Sequence, residues 1–572
     1  MTGRIWQGPD AATERRAEAL AQATGFDRAL CMVLAEREVS PQEAALYLAP
    51  KLRDLLPDPL RLKDMGPAAE RFSAALARED RIAVFADYDV DGGASAALLI
   101  RYLRALEISA TLYVPDRIDE GYGPNAPAMA HLAEHHDLIL CVDCGTLSHA
   151  ALAAAVGADV LVLDHHLGGE TLPPALAVVN PNRADESGEL GHLCAAGVVF
   201  LFLVEVNRRR RQTDAPCPDL MACLDLVALA TVADVAPLIG TNRAFVQSGL
   251  QVMRRRENAG LVALADVAAL DREPDARHLG FVFGPRINAG GRIGQADLGA
   301  RLLASDDAEE ARQLAEQLDT ENTRRREMET AIRDAALAQA EAHDDGGALV
   351  WAAGEKWHPG VVGIVAARLT EATGRPSVVI GFQGDNGKGS GRSIAGRDLG
   401  GAIQRLAREG LITKGGGHRM AAGLSLSQDQ LKPAMARLSD LLSAQGPLPP
   451  DRNTLRLSGV LLPGGMQPNL VTRLEQAGPF GQNAPAPRFA IPHMRLYSAR
   501  QIGSGHLKIS FDDGTSPRQE AISFGAYDTG FGQALEALIG EQVHLAGKLE
   551  LNHWNGRTKV QLRLDDAAPA EP

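Results

Sequence analysis

The sequence predicts an α/β protein in which a parallel-sheet domain, a long connecting helix and a smaller α/β domain precede a C-terminal small β-barrel. Three observations carry that prediction. From Arg81 to about residue 180, short apolar runs alternate with Ala/Leu-rich runs of helical period. Residues 304–342 then hold neither proline nor glycine and are dense in Glu, Arg, Gln and Ala. Beyond residue 450 the pattern becomes short strands with alternating polarity.

At 572 residues the chain is too long for a single core, so several domains are expected. The boundaries read as 1–60 (helical), 61–303, 304–342, 346–446 and 451–567, with proline-punctuated connections at 50–59 and at Pro447 to Pro450. The first residues have no apolar run of leader type, and no apolar run reaches the roughly 18 residues that would cross a membrane. A cytoplasmic protein with no membrane partner is expected. Six irregularly spaced cysteines do not form a disulfide framework. Cys141 and Cys144 make a CxxC, but with no second cysteine pair zinc is not expected there. A net charge of −14 argues against coating of duplex DNA, though not against one strand held in a locally basic groove.

In the first α/β region, strands are expected at 82–86, 110–115, 137–142, 159–163 and 177–180, and helices near 94–106, 125–135 and 147–156. Such alternation implies a parallel sheet with helices on both faces, whose ligands sit beyond the carboxyl ends of the strands. The first strand runs into Asp87, Asp89 and Asp91, then Gly92-Gly93, which lets the backbone turn into a helix. Carboxylates at alternate extended positions point the same way and repel unless a cation lies among them, and all-oxygen ligands suit Mg²⁺ or Mn²⁺. The second strand leads to Arg117, Glu120 and Tyr122, the third to Asp143, the fourth to Asp164-His165-His166 and the fifth to Asn180. Strand after strand thus delivers metal-competent groups to one edge.

Asp234 interrupts an apolar helix, 226–238, and is either a helix-end cap or a further ligand. The stretch 284–292 reads as a glycine-rich loop carrying Arg286 and Arg292. The helix at 304–342 has too thin an apolar seam for a coiled coil and is taken as an exposed strut. The second α/β region, about 346–445, holds three glycine-rich turns. These carry His358, then Ser390 and Arg392, then His418, and together suggest an anion seat. Strands at 455–460, 505–511, 519–524, 542–550 and 558–564, with Asn555-Gly556 as a hairpin turn, fit an OB-like barrel. His506, Lys508, Lys548, Arg557 and Lys559 could line a single-strand groove there or be solvated strand faces.

Taken together, DYDVDG at 87–92, VDCG at 142–145, LDHH at 163–166, TVADVAPL at 231–238 and GPRINAGGR at 284–292 resemble the phosphoesterase motifs of the DHH superfamily. GSGRS at 389–393 and GGGHRMAAG at 415–423 resemble its companion DHHA1 domain, and the segments 50–65 and 478–489 are similar to those of the long bacterial members. Those members are single-stranded-DNA-specific 5′→3′ exonucleases of recombination and repair. The resemblance implies that Asp89, Asp91, Asp143, His165 and Asp234 bind two Mn²⁺ or Mg²⁺ ions, with Asp143 between them. Asp143, Asp87, Asp164 and His166 become the catalytic set, the last three orienting ligands or touching phosphate. Arg117, Ser390, Arg392 and Arg292 would read a 5′-phosphate, Tyr122 would stack on a terminal base, and Arg286 and His418 would join the strand-binding set. Implied partners are single-stranded DNA with a 5′ end, a single-strand-binding protein and a helicase, with the chain acting as a monomer. Phe85-Ala86 stand where many members carry His-Gly, Ala94 replaces a common Thr and Thr146 a common Ile; none of these removes an assigned metal position, but the missing histidine leaves one ion to be held by fewer protein ligands or by water. Two other readings are a phosphodiesterase for short oligonucleotides or cyclic dinucleotides, and a DNA-binding scaffold without catalysis. Chain length and the barrel weigh against the first, and the intact acidic and His positions against the second.

Overall fold

A computed structural model of the chain describes residues 1–117, 119–342, 346–446, 454–503, 505–554 and 557–570. The expected linker Pro447 to Pro450, the Asn555-Gly556 turn and the Arg557 side chain lie outside the described residues. The chain divides into two compact units. One comprises Met1–Leu56, Pro237–Gln247 and Asp451–Pro572, the other Pro57–Ala236 and Ser248–Pro450.

In the larger unit, five parallel strands form a sheet in the order Ala110–Tyr113, Ile82–Ala86, Leu138–Val142, Asp159–Leu163 and Ala177–Val179. The three central strands are apolar along almost their whole length because helices cover both faces. Phe85, Ile139, Cys141, Val160 and Val162 pack on one face against Met129, Leu132, Ala151 and Leu152. The register aligns Ala86 with Val142, Val142 with Leu163, and Leu163 with Val179. The next residue of each strand adds one more rung. Asp87 N donates to Val142 O (3.4 Å), Asp143 N to Leu163 O (3.0 Å) and Asp164 N to Val179 O (3.1 Å). Main-chain pairing therefore sets the three aspartates on one rim.

Three local expectations change. The stretch 284–292 is not a loop but lies in the helix Gly284–Ile293, with Pro285 tolerated in its first turn. The long helix is Ala308–Ala342, but it is not an exposed strut. Ala311, Leu314, Ala315, Leu318, Ile332 and Ala336 are buried along one side, and the last two share a core with Val361, Val362 and Val365. Ser390 and Arg392 are on the strand Asn386–Arg392 rather than a turn, and His418 ends the strand Lys414–His418. That sheet runs Lys414–His418, Ala421–Leu426, Asn386–Arg392, Ser377–Gln383, Val350–Glu355, and only the last pair is parallel.

In the smaller unit the strand Phe489–Ile502 pairs with both His506–Asp512 and Gln542–Trp554, which closes the sheet on itself around Leu496, Ile509, Phe511, Leu545 and Leu562. The sequence reading separated 1–60 from 451–567. Here Leu20, Leu30, Val33 and Leu34 share one core with Leu474, Ala477 and Phe489. Arg243 binds this assembly, donating to the carbonyls of Tyr47, Ala477, Gly478 and Pro479 while its guanidinium lies 4.0 Å from the centre of the Tyr47 ring.

Candidate metal centre and strand-end seat

The aligned rim brings carboxylates and imidazoles from four segments together. Candidate ligand atoms of Asp87, Asp89 and Asp143 lie within 4.8 Å of one another, as do those of Asp91, His165 and Asp234, and those of Asp143, His165 and His166. Asp143 and His165 thus connect two groups. His165 Nε2 is 3.2 Å from Asp143 Oδ1 and 3.7 Å from Asp91 Oδ2, and its Nδ1 is 3.8 Å from Asp234 Oδ2. Geometry places Asp87 with the ligand-competent carboxylates rather than behind them. Asp234 is both things the sequence allowed, a helix-end residue and a member of the cluster.

Local structure explains each position. Asp89 caps the helix Val90–Arg104, its Oδ1 accepting from Asp91 N (2.8 Å) and Gly92 N (3.1 Å). Asp91 accepts from Ala195 N (2.7 Å) and Ala196 N (2.8 Å), at the start of the helix Ala195–Gln212, where the helix dipole favours an anion. Asp143 has φ +59°, a left-handed conformation that Asp tolerates better than most residues. A Cβ on Gly92 would lie 2.3 Å from Asp87 O. We expect Gly92→Ala to force the Asp87–Asp91 turn apart, costing about 1–3 kcal/mol in denaturant unfolding and most of the metal-dependent activity.

Asp164 is tied down differently. It accepts from Thr146 N, His165 N, His166 N and His166 Nδ1, the last at 2.8 Å. Burial pushes its carboxyl up, but these donors, His166 foremost, hold it well below the usual range. Burial likewise pulls His166 down, yet Asp164 outweighs it and raises the imidazole to about 9. Tyr122 OH lies 3.0 Å from His166 Nε2, so Tyr122 helps to aim that ring while its own stays largely exposed. Asn180 donates to Thr146 Oγ1 and His166 O (both 2.8 Å) and so holds the loop from behind.

No such donors serve Asp87 and Asp143. Both are buried, and Asp87 Oδ1 and Asp143 Oδ1 lack a hydrogen-bond partner. Burial first, then Asp89 for the one and Asp91 for the other, pushes both carboxyls up, and burial with Asp91 lifts Asp234 to about 8. Like charges left unpaired in a buried rim are costly, and a hard divalent cation satisfies the oxygens directly. The donor set fits Mn²⁺ or Mg²⁺.

Beside the rim lies a cleft of about 950 Å³ lined by Asp89, Asp91, Asp234, Arg292, Thr370 and Arg392, among others. Arg392 donates to Ser390 Oγ (3.0 Å) and Gly391 O. Arg117 covers the Tyr88 ring at 5.1 Å. Burial first, and then the like charge of Arg117, lowers Arg392 and brings Arg292 down to about 10. Mutual repulsion among neighbouring guanidiniums that form no ion pair of their own is relieved by an anion. Not every expected residue is at this cleft. Arg286 is held away by Asp319 (2.8 Å) and Val282 O, and His418 is exposed at its strand end. Asn288 was missed. It lines the cleft with Arg292 because the two are one helical turn apart, a signal that the loop reading had discarded.

Comparison with known proteins agrees with this geometry. Residues 81–231 match the model of the DHH family, N-terminal domain, residues 345–444 the DHHA1 domain, and residues 458–566 the RecJ OB domain. Fold and site thus define a metal-dependent phosphoesterase of DHH type. The single-stranded-DNA-specific exonucleases RecJ of Escherichia coli and Dickeya dadantii are 37% and 38% identical, covering 89% and 91% of this chain and 91% and 92% of theirs. The crystal structure of RecJ in complex with Mn²⁺ from Thermus thermophilus superposes with a TM-score of 0.81 at 31% identity, over 99% of this chain and 80% of that one. The Mg²⁺ complex from the same organism gives 0.76 at 30% identity, over 100% and 80%. This chain belongs to the RecJ family.

Proposed function

We propose that the chain is a single-stranded-DNA-specific exonuclease that removes 5′-mononucleotides in the 5′→3′ direction. The observation that carries this reading is the junction of two features in one cleft. An acidic rim with two buried carboxylate oxygens that lack a hydrogen-bond partner shares a cleft with Arg292 and Arg392, neither of which forms an ion pair among the described residues. Asp87, Asp89, Asp91, Asp143, His165 and Asp234 would hold two Mn²⁺ or Mg²⁺ ions, which supply an activated water and neutralise charge on the departing 3′-oxygen. Asp164 fixes the orientation of His166 and keeps it charged towards phosphate. Arg392, Arg292 and Arg117 bind the terminal phosphate, Ser390 orients the Arg392 fork, and the exposed Tyr122 ring offers a face for the end base.

Recombination and repair roles come with the family. A single-strand substrate calls for an unwinding activity and a single-strand-binding protein upstream. No helix among the described residues is long and apolar enough to cross a membrane.

The barrel offers the strand a basic, aromatic face. Arg518 lies 3.9 Å from the Tyr497 ring centre, and Arg563 lies 5.4 Å from that of the exposed Phe524. Of the side chains expected there, Lys508 is paired with Glu520 (2.9 Å), His506 accepts from Gly525 N, and burial lowers Lys548. Tyr497→Ala should raise KM for long single strands about tenfold through one lost base stack and leave short ones unaffected. An equal effect on both lengths removes the barrel from strand binding. The reading as a whole is tested by Mn²⁺-dependent release of mononucleotides from 5′-labelled single strands beside a duplex control; intact single strands or an equally degraded duplex would refute it.

A further inference from the structure

A second group of metal-competent side chains lies away from the acidic rim. The helix Ala126–His135 covers one face of the parallel sheet through Met129 and Leu132. On its outer side, His131, Glu134 and His135 are all exposed, and their candidate ligand atoms lie within 4.8 Å of one another. The spacing i, i+3, i+4 puts all three on one helical face, and the two imidazole rings stand 5.1 Å apart edge to face.

We propose that His131, Glu134 and His135 form a surface site for a late first-row divalent ion, of the Zn²⁺, Ni²⁺ or Cu²⁺ class. Two neutral imidazoles with one carboxylate suit these ions, whereas Mg²⁺ prefers oxygen ligands. Ligands at about 2.0–2.1 Å from a tetrahedral ion stand about 3.4 Å from each other, so rotation of exposed side chains closes the remaining gap.

Three further observations support the site. Among the described residues none of the three side chains makes a hydrogen bond or an ion pair, so no existing bond has to break. His135 is the last residue of its helix, where the free carbonyls and the negative end of the helix dipole favour a cation. His136 next to it is already occupied, with Nδ1 2.9 Å from Leu132 O and Nε2 2.8 Å from Thr111 Oγ1, so it anchors the helix end to the sheet. The ligands therefore project from a fixed base, and a bound ion would cross-link the last turn and stop it fraying.

The test titrates Zn²⁺ into the full chain held in excess Mg²⁺, beside the double variant His131→Ala/His135→Ala. The wild type should take up one ion more than the variant, and Glu134→Gln should bind that ion about tenfold more weakly. With Cu²⁺, the spin-resonance spectrum should show two imidazole nitrogens that the variant loses. Both variants should keep their Mg²⁺-dependent nuclease rate, which also reports that they fold. Equal Zn²⁺ stoichiometry in the two chains, or no nitrogen signature, overturns the proposal. Neither result depends on the fate of the acidic centre, because no variant alters it.

Discussion

Asp143→Asn should reduce Mn²⁺-dependent cleavage of single strands about a thousandfold, equivalent to several kcal/mol of lost charge stabilisation, while the circular dichroism spectrum stays that of the wild type. Asp143 joins the Asp87–Asp89 group to His165 and carries a buried oxygen with no hydrogen-bond partner, only His165 Nε2 at 3.2 Å. Asparagine is the informative substitution because it keeps the size and tolerates φ +59°, whereas alanine would add backbone strain to the lost ligand. The same change should raise the melting temperature in the presence of a chelator, since it removes one of several repelling carboxylates from a buried rim. Adding Mn²⁺ should then stabilise the wild type more than the variant, as expected for an ion that binds only the folded state. Full activity in the variant would remove Asp143 from the chemistry.

Arg392→Ala should abolish the preference for 5′-phosphorylated over 5′-hydroxyl strands. A charge-assisted hydrogen bond contributes about 1.5–3 kcal/mol, so the ratio of kcat/KM for the two ends should fall by about 10–100-fold, with the hydroxyl substrate little affected. Arg392→Lys should recover only part of the ratio, because a point charge cannot reproduce the guanidinium fork that Ser390 orients. An unchanged ratio would move the end-reading group elsewhere, with Arg117 and Arg292 next to be tested.

Much of the rim was legible in the sequence for a physical reason. A buried parallel strand must be apolar along its length, so the first polar residue after each run marks its carboxyl end, and Asp87, Asp143 and Asp164 followed directly. The helix Gly284–Ile293 was hidden by its glycines, which favour a loop locally. Packing explains them, since a Cβ on Gly291 would sit 2.7 Å from Tyr88 O and one on Gly290 3.1 Å from Leu318. Asn288 and the true orientation of Arg286 were lost with that helix. The strand Phe489–Ile502 was missed for another reason. Pro492, His493 and the bulges near them interrupt its alternation, and only the closed barrel holds it extended. The shared core of the first helices with Leu474 and Phe489 could not be read at all, because contacts over such separations leave no periodic trace.

The most direct measurement is anomalous diffraction at the manganese edge from crystals of the full chain soaked in Mn²⁺. The account predicts two peaks, one among Asp87, Asp89 and Asp143 and one among Asp91, His165 and Asp234, the first of them absent in Asp143→Asn. Strong peaks confined to other acidic surfaces, or a rim without density at saturating Mn²⁺, would contradict it.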